Sequence, residues 1–206
     1  MKQICLYITF VIQVGCATGK EVIKSDSIQP LNSLKYLISN VQVRGALLVG
    51  KFRDDRPTDE RNWVAYTGMF NQETPLELDV SVSDFVQKRI QAGLQRRGID
   101  VLGSSRFILM GSIKKLKVWE NTNGWTPESS GCVLELDFFI FNSDRRLIYK
   151  GMASAMATGV NNILDTTDSN GPVLETCMQI AVDKIVDDSQ FKAVLEFRSA
   201  SSSHTL

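Results

Sequence analysis

Two adjacent carboxylates, Asp54 and Asp55, stand between Arg53 and Arg56 just after an apolar run. Paired carboxylates can act as acid and base or hold Mg²⁺ or Ca²⁺ through hard oxygen ligands, so a metal-assisted hydrolase is one chemistry the chain offers. Neighbouring side chains on an extended backbone project apart, however, and two flanking guanidiniums can neutralise two carboxylates. A salt-bridged surface turn is the plainer expectation. A second oxygen-rich loop, with Asp165, Asp168 and Asn170, lacks the spacing and the bidentate Glu of a calcium loop and reads as a turn and helix cap. The sole histidine, His204, lies in a Ser-rich tail, which leaves a Ser/His/Asp triad, a histidine base and a His-rich metal site without support. With no C-x-x-C pair and no Gly-rich phosphate loop, Gly103-Ser104-Ser105 being a turn, neither a metal nor a cofactor is expected. These residues point away from an enzyme.

The thiols have more to offer. Met1 and Lys2 precede the apolar run Ile4 to Ile12, followed by Gln13-Val14-Gly15-Cys16-Ala17. One positive charge, an apolar stretch of about ten residues and small residues after it form the three regions of a secretory signal peptide, and the stretch is short of the roughly 20 residues that span a bilayer as a helix. Val14-Gly15-Cys16 resembles a bacterial lipobox, with Gln13 where that pattern usually has Leu. The resemblance implies cleavage before Cys16, diacylation of its thiol (palmitate being a typical chain) and acylation of the new N-terminus. Each buried CH₂ would add about 0.8 kcal/mol to the anchor. Ordinary cleavage after Ala17, giving a soluble periplasmic protein, is the alternative. Cys132 and Cys177 then remain as an even pair that permits one disulfide. Both also occupy apolar-periodic positions, where a free thiol packs as a small hydrophobe.

The 206 residues are 43% hydrophobic and 22% charged, with 23 basic and 23 acidic side chains. That is enough apolar matter for one globular domain and too much for a disordered chain. Without a basic surplus to neutralise phosphates, nucleic acid is not an expected partner.

Residues 1–15 are expected to be the signal peptide, 16–40 the lipidated N-terminus and tether, 41–198 a single domain and 199–206 a disordered tail. Val43 to Phe52 reads as a strand buried on both faces. The polar stretch from Arg53 to about Asp79 then reads as one long loop carrying Trp63, Tyr66, Met69 and Phe70. With Trp119 and Trp125, these are candidate partner-binding anchors, or side chains that cap an open end of the core.

Ser81, with Asp84 three positions later, opens a helix whose Val82, Val86, Ile90 and Leu94 face inward beside Phe85 and Gly93, while Arg89 and Arg96 face away; Gly98 stops it. Arg106 to Trp119 reads as a strand whose apolar parity changes between Ile113 and Leu116, which demands a bulge. Lys114, Lys115 and Lys117 on it suggest a solvated edge. Cys132 to Phe141 alternates cleanly, and the turn Asn142 to Arg145 joins it to Leu147 to Thr158 in a hairpin whose small residues leave room for a helix. Pro172 opens that helix, and Phe191, Val194 and Leu195 continue into a short last one. The fold expected is α+β: a mainly antiparallel sheet in β-α-β-β-β-α order with the helices packed on one face.

Over residues 43–197 the segments V-G-K-F-R-D-D-R-P (49–57), L-Q-R-R-G-I-D-V (94–101), G-S-I-K-K-L-K-V-W (111–119) and the hairpin 134–151 resemble YajG-type bacterial lipoproteins. The layout is similar to LpoB-like and CsgG-like envelope lipoproteins and to the N-terminal domain of TolB. The resemblance implies a lipoprotein that works through protein contacts, anchored to the outer membrane and facing the periplasm, with an envelope protein as partner. Oligomerisation through an exposed sheet edge, as part of a secretion or transport assembly, is an alternative.

Overall fold

The computed structural model describes residues 22–23, 46–61, 64–67, 73–123, 126–160 and 170–196. Three long strands dominate: β6 (Phe107–Asn123), β7 (Thr126–Asn142) and β8 (Leu147–Val160) form an antiparallel meander. Shorter strands complete the sheet: β1 (Val22–Ile23), β2 (Ala46–Asp54), β3 (Val64–Thr67), β4 (Glu73–Leu78) and β5 (Asp100–Val101). Helices α1 (Val82–Arg96), α2 (Asn170–Asp187) and α3 (Ser189–Glu196) follow in chain order. The fold is α+β with its antiparallel pairing concentrated in the three long strands, as expected.

β6 is the organising strand. One of its edges pairs with β7 along its length. The other is shared in series: β2 pairs in parallel with residues 108–113, and β3 pairs in parallel with residues 117–119. The stretch after Arg53, expected to be one long loop, instead holds a 3-10 turn (Thr58–Glu60) and the antiparallel pair β3 and β4. Its Thr-rich, short apolar segments carry too little periodicity to declare themselves as strands; the open edge of β6 is what recruits them. The same arrangement corrects the reading of the lysine strip as an edge. Flanked on both sides, β6 keeps its lysines on the outer face, where Lys114 pairs with Asp55 (3.0 Å), Lys115 with Glu135 (3.7 Å) and Lys117 with Glu60 (3.9 Å).

β2 is buried on one face, contrary to the two-faced burial its apolar run suggests. Leu47, Val49 and Phe52 point into the core, and a register shift between Val49 and Phe52 carries the change of parity. The parity change in β6 has the same device: its pairing with β7 slips between Ile113 and Lys115, which lets Leu109, Ile113, Leu116 and Val118 all face inward. On β7, Cys132, Leu134, Leu136, Phe138 and Ile140 are buried as their alternation demands. Ala153, Ala155 and Ala157 of β8 are buried beneath α2.

The helices cover this inner face. α1 starts at Ser81, whose hydroxyl accepts from the Asp84 amide (3.0 Å), and ends at Gly98, where φ of +80° suits a residue without Cβ. α1 and α2 approach so closely that a Cβ on Gly93 would lie 2.5 Å from Val182. Arg89 and Arg96 do not simply face solvent. Both reach the buried Glu175 carboxylate on α2, at 3.3 and 3.2 Å, and Arg97 donates to Asp183 at 2.9 Å. α2 lies alongside α1 only in the folded chain, so the amphipathic pattern of α1 by itself cannot reveal these partners.

Candidate functional site

The Asp54-Asp55 turn lies where β2 leaves β6. The Asp55 amide still donates to the Ile113 carbonyl (3.0 Å), but the chain then swings away before β3 returns to the same edge. Arg56 fills the gap. Its side chain is wholly buried, with Nε 2.8 Å and Nη2 2.7 Å from the two oxygens of Asp54, and its Nη1 donates to the Leu116 carbonyl at 3.4 Å. The guanidinium thus stands in for the missing strand at that carbonyl. Arg61 ties the turn from outside by donating to the Arg56 carbonyl (2.9 Å).

Asp55 turns the other way. Arg53 donates to it at 2.7 Å, Ser112 at 2.5 Å and Lys114 at 3.0 Å. These donors, Arg53 foremost, hold its carboxyl well below the usual carboxylate range. A carboxylate so committed is a poor proton donor near neutrality. Among the described residues no cluster of three or more His, Cys, Asp or Glu could hold a metal ion. The turn is salt-bridged, as expected, but it is not a surface feature throughout: the Arg56–Asp54 pair is buried, and Asp55 with its donors lies on the outer side.

The partner-binding candidates fall differently. Tyr66 lies in β3, its backbone opposite Val118 on one side and Thr74 on the other, whereas Trp63, Met69, Phe70 and Trp125 fall outside the described residues. Cys16 also lies outside them. Trp119, in β6, lies against Gly131 of β7, where an added Cβ would come within 2.1 Å of the indole. It packs on a neighbouring strand.

Sequence reasoning missed the outer face of β8. Met152 and Met156 are 71% and 64% exposed, and Ile148 beside them is 43% exposed. The signal was present: Met152 and Met156 alternate with the buried alanines 153, 155 and 157, so both methionines had to face out. Among the described residues β8 pairs only with β7. Lys150 of β8 pairs with Asp137 (3.3 Å), and its ammonium is 5.5 Å from the Phe139 ring centroid. At the start of β6 a separate open cavity of about 640 Å³ is lined by Arg106, Phe107, Asn142, Asp144, Ile148 and Val194.

No family model matches the chain, and no curated protein matches it. Among solved structures it is similar to protein XCC0632 from Xanthomonas campestris, of family DUF330. The two share 12% identity, with 89% of this chain and 99% of that chain covered and a TM-score of 0.53. The α+β fold is shared with that protein. The chain is also compared with a minor lipoprotein from Acinetobacter baumannii (10% identity, 75% and 93% covered, TM-score 0.37). A third is the rare lipoprotein B from Shewanella oneidensis (8% identity, 77% and 99% covered, TM-score 0.35). Among the described residues no helix is long and apolar enough to cross a membrane.

Proposed function

We propose that the chain is an envelope lipoprotein, held to the outer membrane by acylated Cys16, whose folded domain binds a periplasmic protein partner without catalysing a reaction. The observation that carries this reading is the placement of Cys16 in Val14-Gly15-Cys16, directly after a basic residue and an apolar run. The resemblance of residues 43–197 to YajG-type lipoproteins supports it. So does the turn at Asp54 and Asp55, where both carboxylates are already engaged by cations. Anchoring would raise the effective concentration of the domain at the membrane, so modest contacts through Trp63, Tyr66, Met69 and Phe70 would suffice for binding.

Replacing Cys16 by serine tests the anchor. The wild-type protein should be recovered with membranes, starting at Cys16 and carrying acyl mass, whereas Cys16→Ser should leave that fraction almost completely. A wild-type protein found in the cytosol with its leader intact would sink the proposal. One starting at Thr18 and free in the periplasm would replace the anchor by the soluble alternative.

A second reading, an oligomerising component of an envelope assembly, is favoured by β8, which among the described residues pairs only with β7 and carries Met152 and Met156 exposed. An apolar strand edge is a template for pairing. Light scattering of the Cys16→Ser protein should then give a mass above that of the monomer, and Met152→Lys should restore the monomer. A strict monomer at high concentration for the parent protein would remove this reading.

A further inference from the structure

Cys132 and Cys177 are distant in the chain and meet in the core. Cys132 lies on the inner face of β7, paired across to Ala157 of β8, and Cys177 lies on the face of α2 that packs on the same strands. The Cys177 thiol donates to the Ala155 carbonyl at 3.8 Å, two residues along β8 from the partner of Cys132. Both side chains are fully buried and come to the same stretch of β8, Cys132 from across the β7 pairing and Cys177 from the helix above it.

We propose that Cys132 and Cys177 are a disulfide-forming pair that staples β7 to α2 once the chain folds in an oxidising compartment. The oxidising setting rests on the export reading above; the pairing itself does not. The oxidant is a thiol–disulfide donor such as oxidised glutathione. One cysteine thiolate attacks the donor disulfide, forming a mixed disulfide and releasing one donor thiolate. The second cysteine then attacks the sulfur of the first, forming the Cys132–Cys177 bond and releasing the second donor thiolate. The chain loses two electrons and two protons, and the donor leaves as two thiols.

Full burial keeps both sulfurs from reagents in the folded state, and burial together with the neighbouring thiol pushes the Cys132 thiol up, which disfavours the attacking thiolate. Exchange therefore belongs to the folding chain, before α2 closes over β7. A bond that closes a loop this long constrains the unfolded chain strongly.

The test uses the full chain with Cys5→Ser and Cys16→Ser, so that no other thiol can contribute. The reduced protein is unfolded in denaturant and refolded in a buffer of reduced and oxidised glutathione. Its intact mass should fall by two hydrogens, it should migrate faster on a non-reducing gel, and its melting temperature should rise by about 10 °C and drop back with dithiothreitol. Recovery of two free thiols, stable mixed disulfides with glutathione, or disulfide-linked dimers would each overturn the proposal. A second preparation with Cys177→Ala as well should show none of the three changes; if it melts with the same dithiothreitol sensitivity, the pair is not the cause. The thiol state in protein isolated from cells decides the other matter separately: a refolded protein that oxidises readily but is reduced in the cell would leave the pairing intact and count against export.

Discussion

Replacing Arg56 by methionine should lower the unfolding free energy by about 3–5 kcal/mol. The loss would come from what is left behind. Asp54 is only 9% exposed and its two oxygens face the Arg56 guanidinium, so truncation strands a carboxylate in a site that water barely reaches. The Leu116 carbonyl loses a donor at the same time, at the point on the edge away from β7 that falls between the residues paired with β2 and those paired with β3. Lysine at this position should recover part of the loss, because one ammonium cannot reproduce the two parallel contacts of a guanidinium. The decisive variant is the double change Arg56→Met with Asp54→Leu. If the stranded charge causes the damage, removing it should restore most of the stability, since apolar replacements of a buried pair are often close to neutral. Urea titrations of the parent, the two single variants and the double variant give the four values needed. A double variant as weak as Arg56→Met would show that the turn depends on the polar bridge itself and not on charge compensation.

Gly111→Ala should cost about 3 kcal/mol through a different cause, the want of room. A Cβ on Gly111 would lie 2.1 Å from Cε1 and 2.3 Å from Cδ1 of Phe52, whose ring is wholly buried. The backbone at Gly111 is not in the left-handed region, so conformational preference adds nothing and the cost is steric alone. Phe52 and Gly111 are register partners between β2 and β6, so the conflict sits at the junction on which the sheet depends. Thermal unfolding of Gly111→Ala, Phe52→Ala and the double variant separates the causes. Each single change should destabilise, and the double should be at least about 2 kcal/mol less destabilised than their sum, because the shorter side chain admits the new methyl. Gly103→Ala is the matching control: nothing lies within 4 Å of its Cβ position, and its effect should stay within about 0.5 kcal/mol. Additive losses at 52 and 111 would rule out the clash as the source.

Both predictions concern contacts that no local pattern announces. Phe52 reads from the chain as one apolar residue in a strand, and Gly111 as one small residue in another; only the parallel register brings the ring over the glycine. Arg56 reads as a surface charge in a polar turn, yet it is among the largest fully buried side chains of the protein. The split edge of β6, with β2 and then β3 laid along it, creates the space that the guanidinium occupies. By contrast, the bulge between Ile113 and Leu116 was visible in the residues, because a pleated strand cannot keep both apolar sets on one face without an extra residue. The outer-face methionines of β8 were equally visible, once the buried alanines beside them are counted.

What the sequence by itself determined is therefore what repeats along a short stretch: the start, stop and inward face of α1, the clean alternation of β7, the hairpin into β8 and the apolar stripe of α2. Helical pitch and strand pleat convert such spacing directly into a buried face, with no knowledge of the partner. Only the tertiary structure decided which edges pair, that Glu175 lies between Arg89 and Arg96, that Asp54 and Asp55 answer to different cations, and that Cys132 and Cys177 meet at the same stretch of β8. Those outcomes depend on pairs of residues far apart in the chain, and their geometry exists only after the sheet has closed and the helices have settled on it.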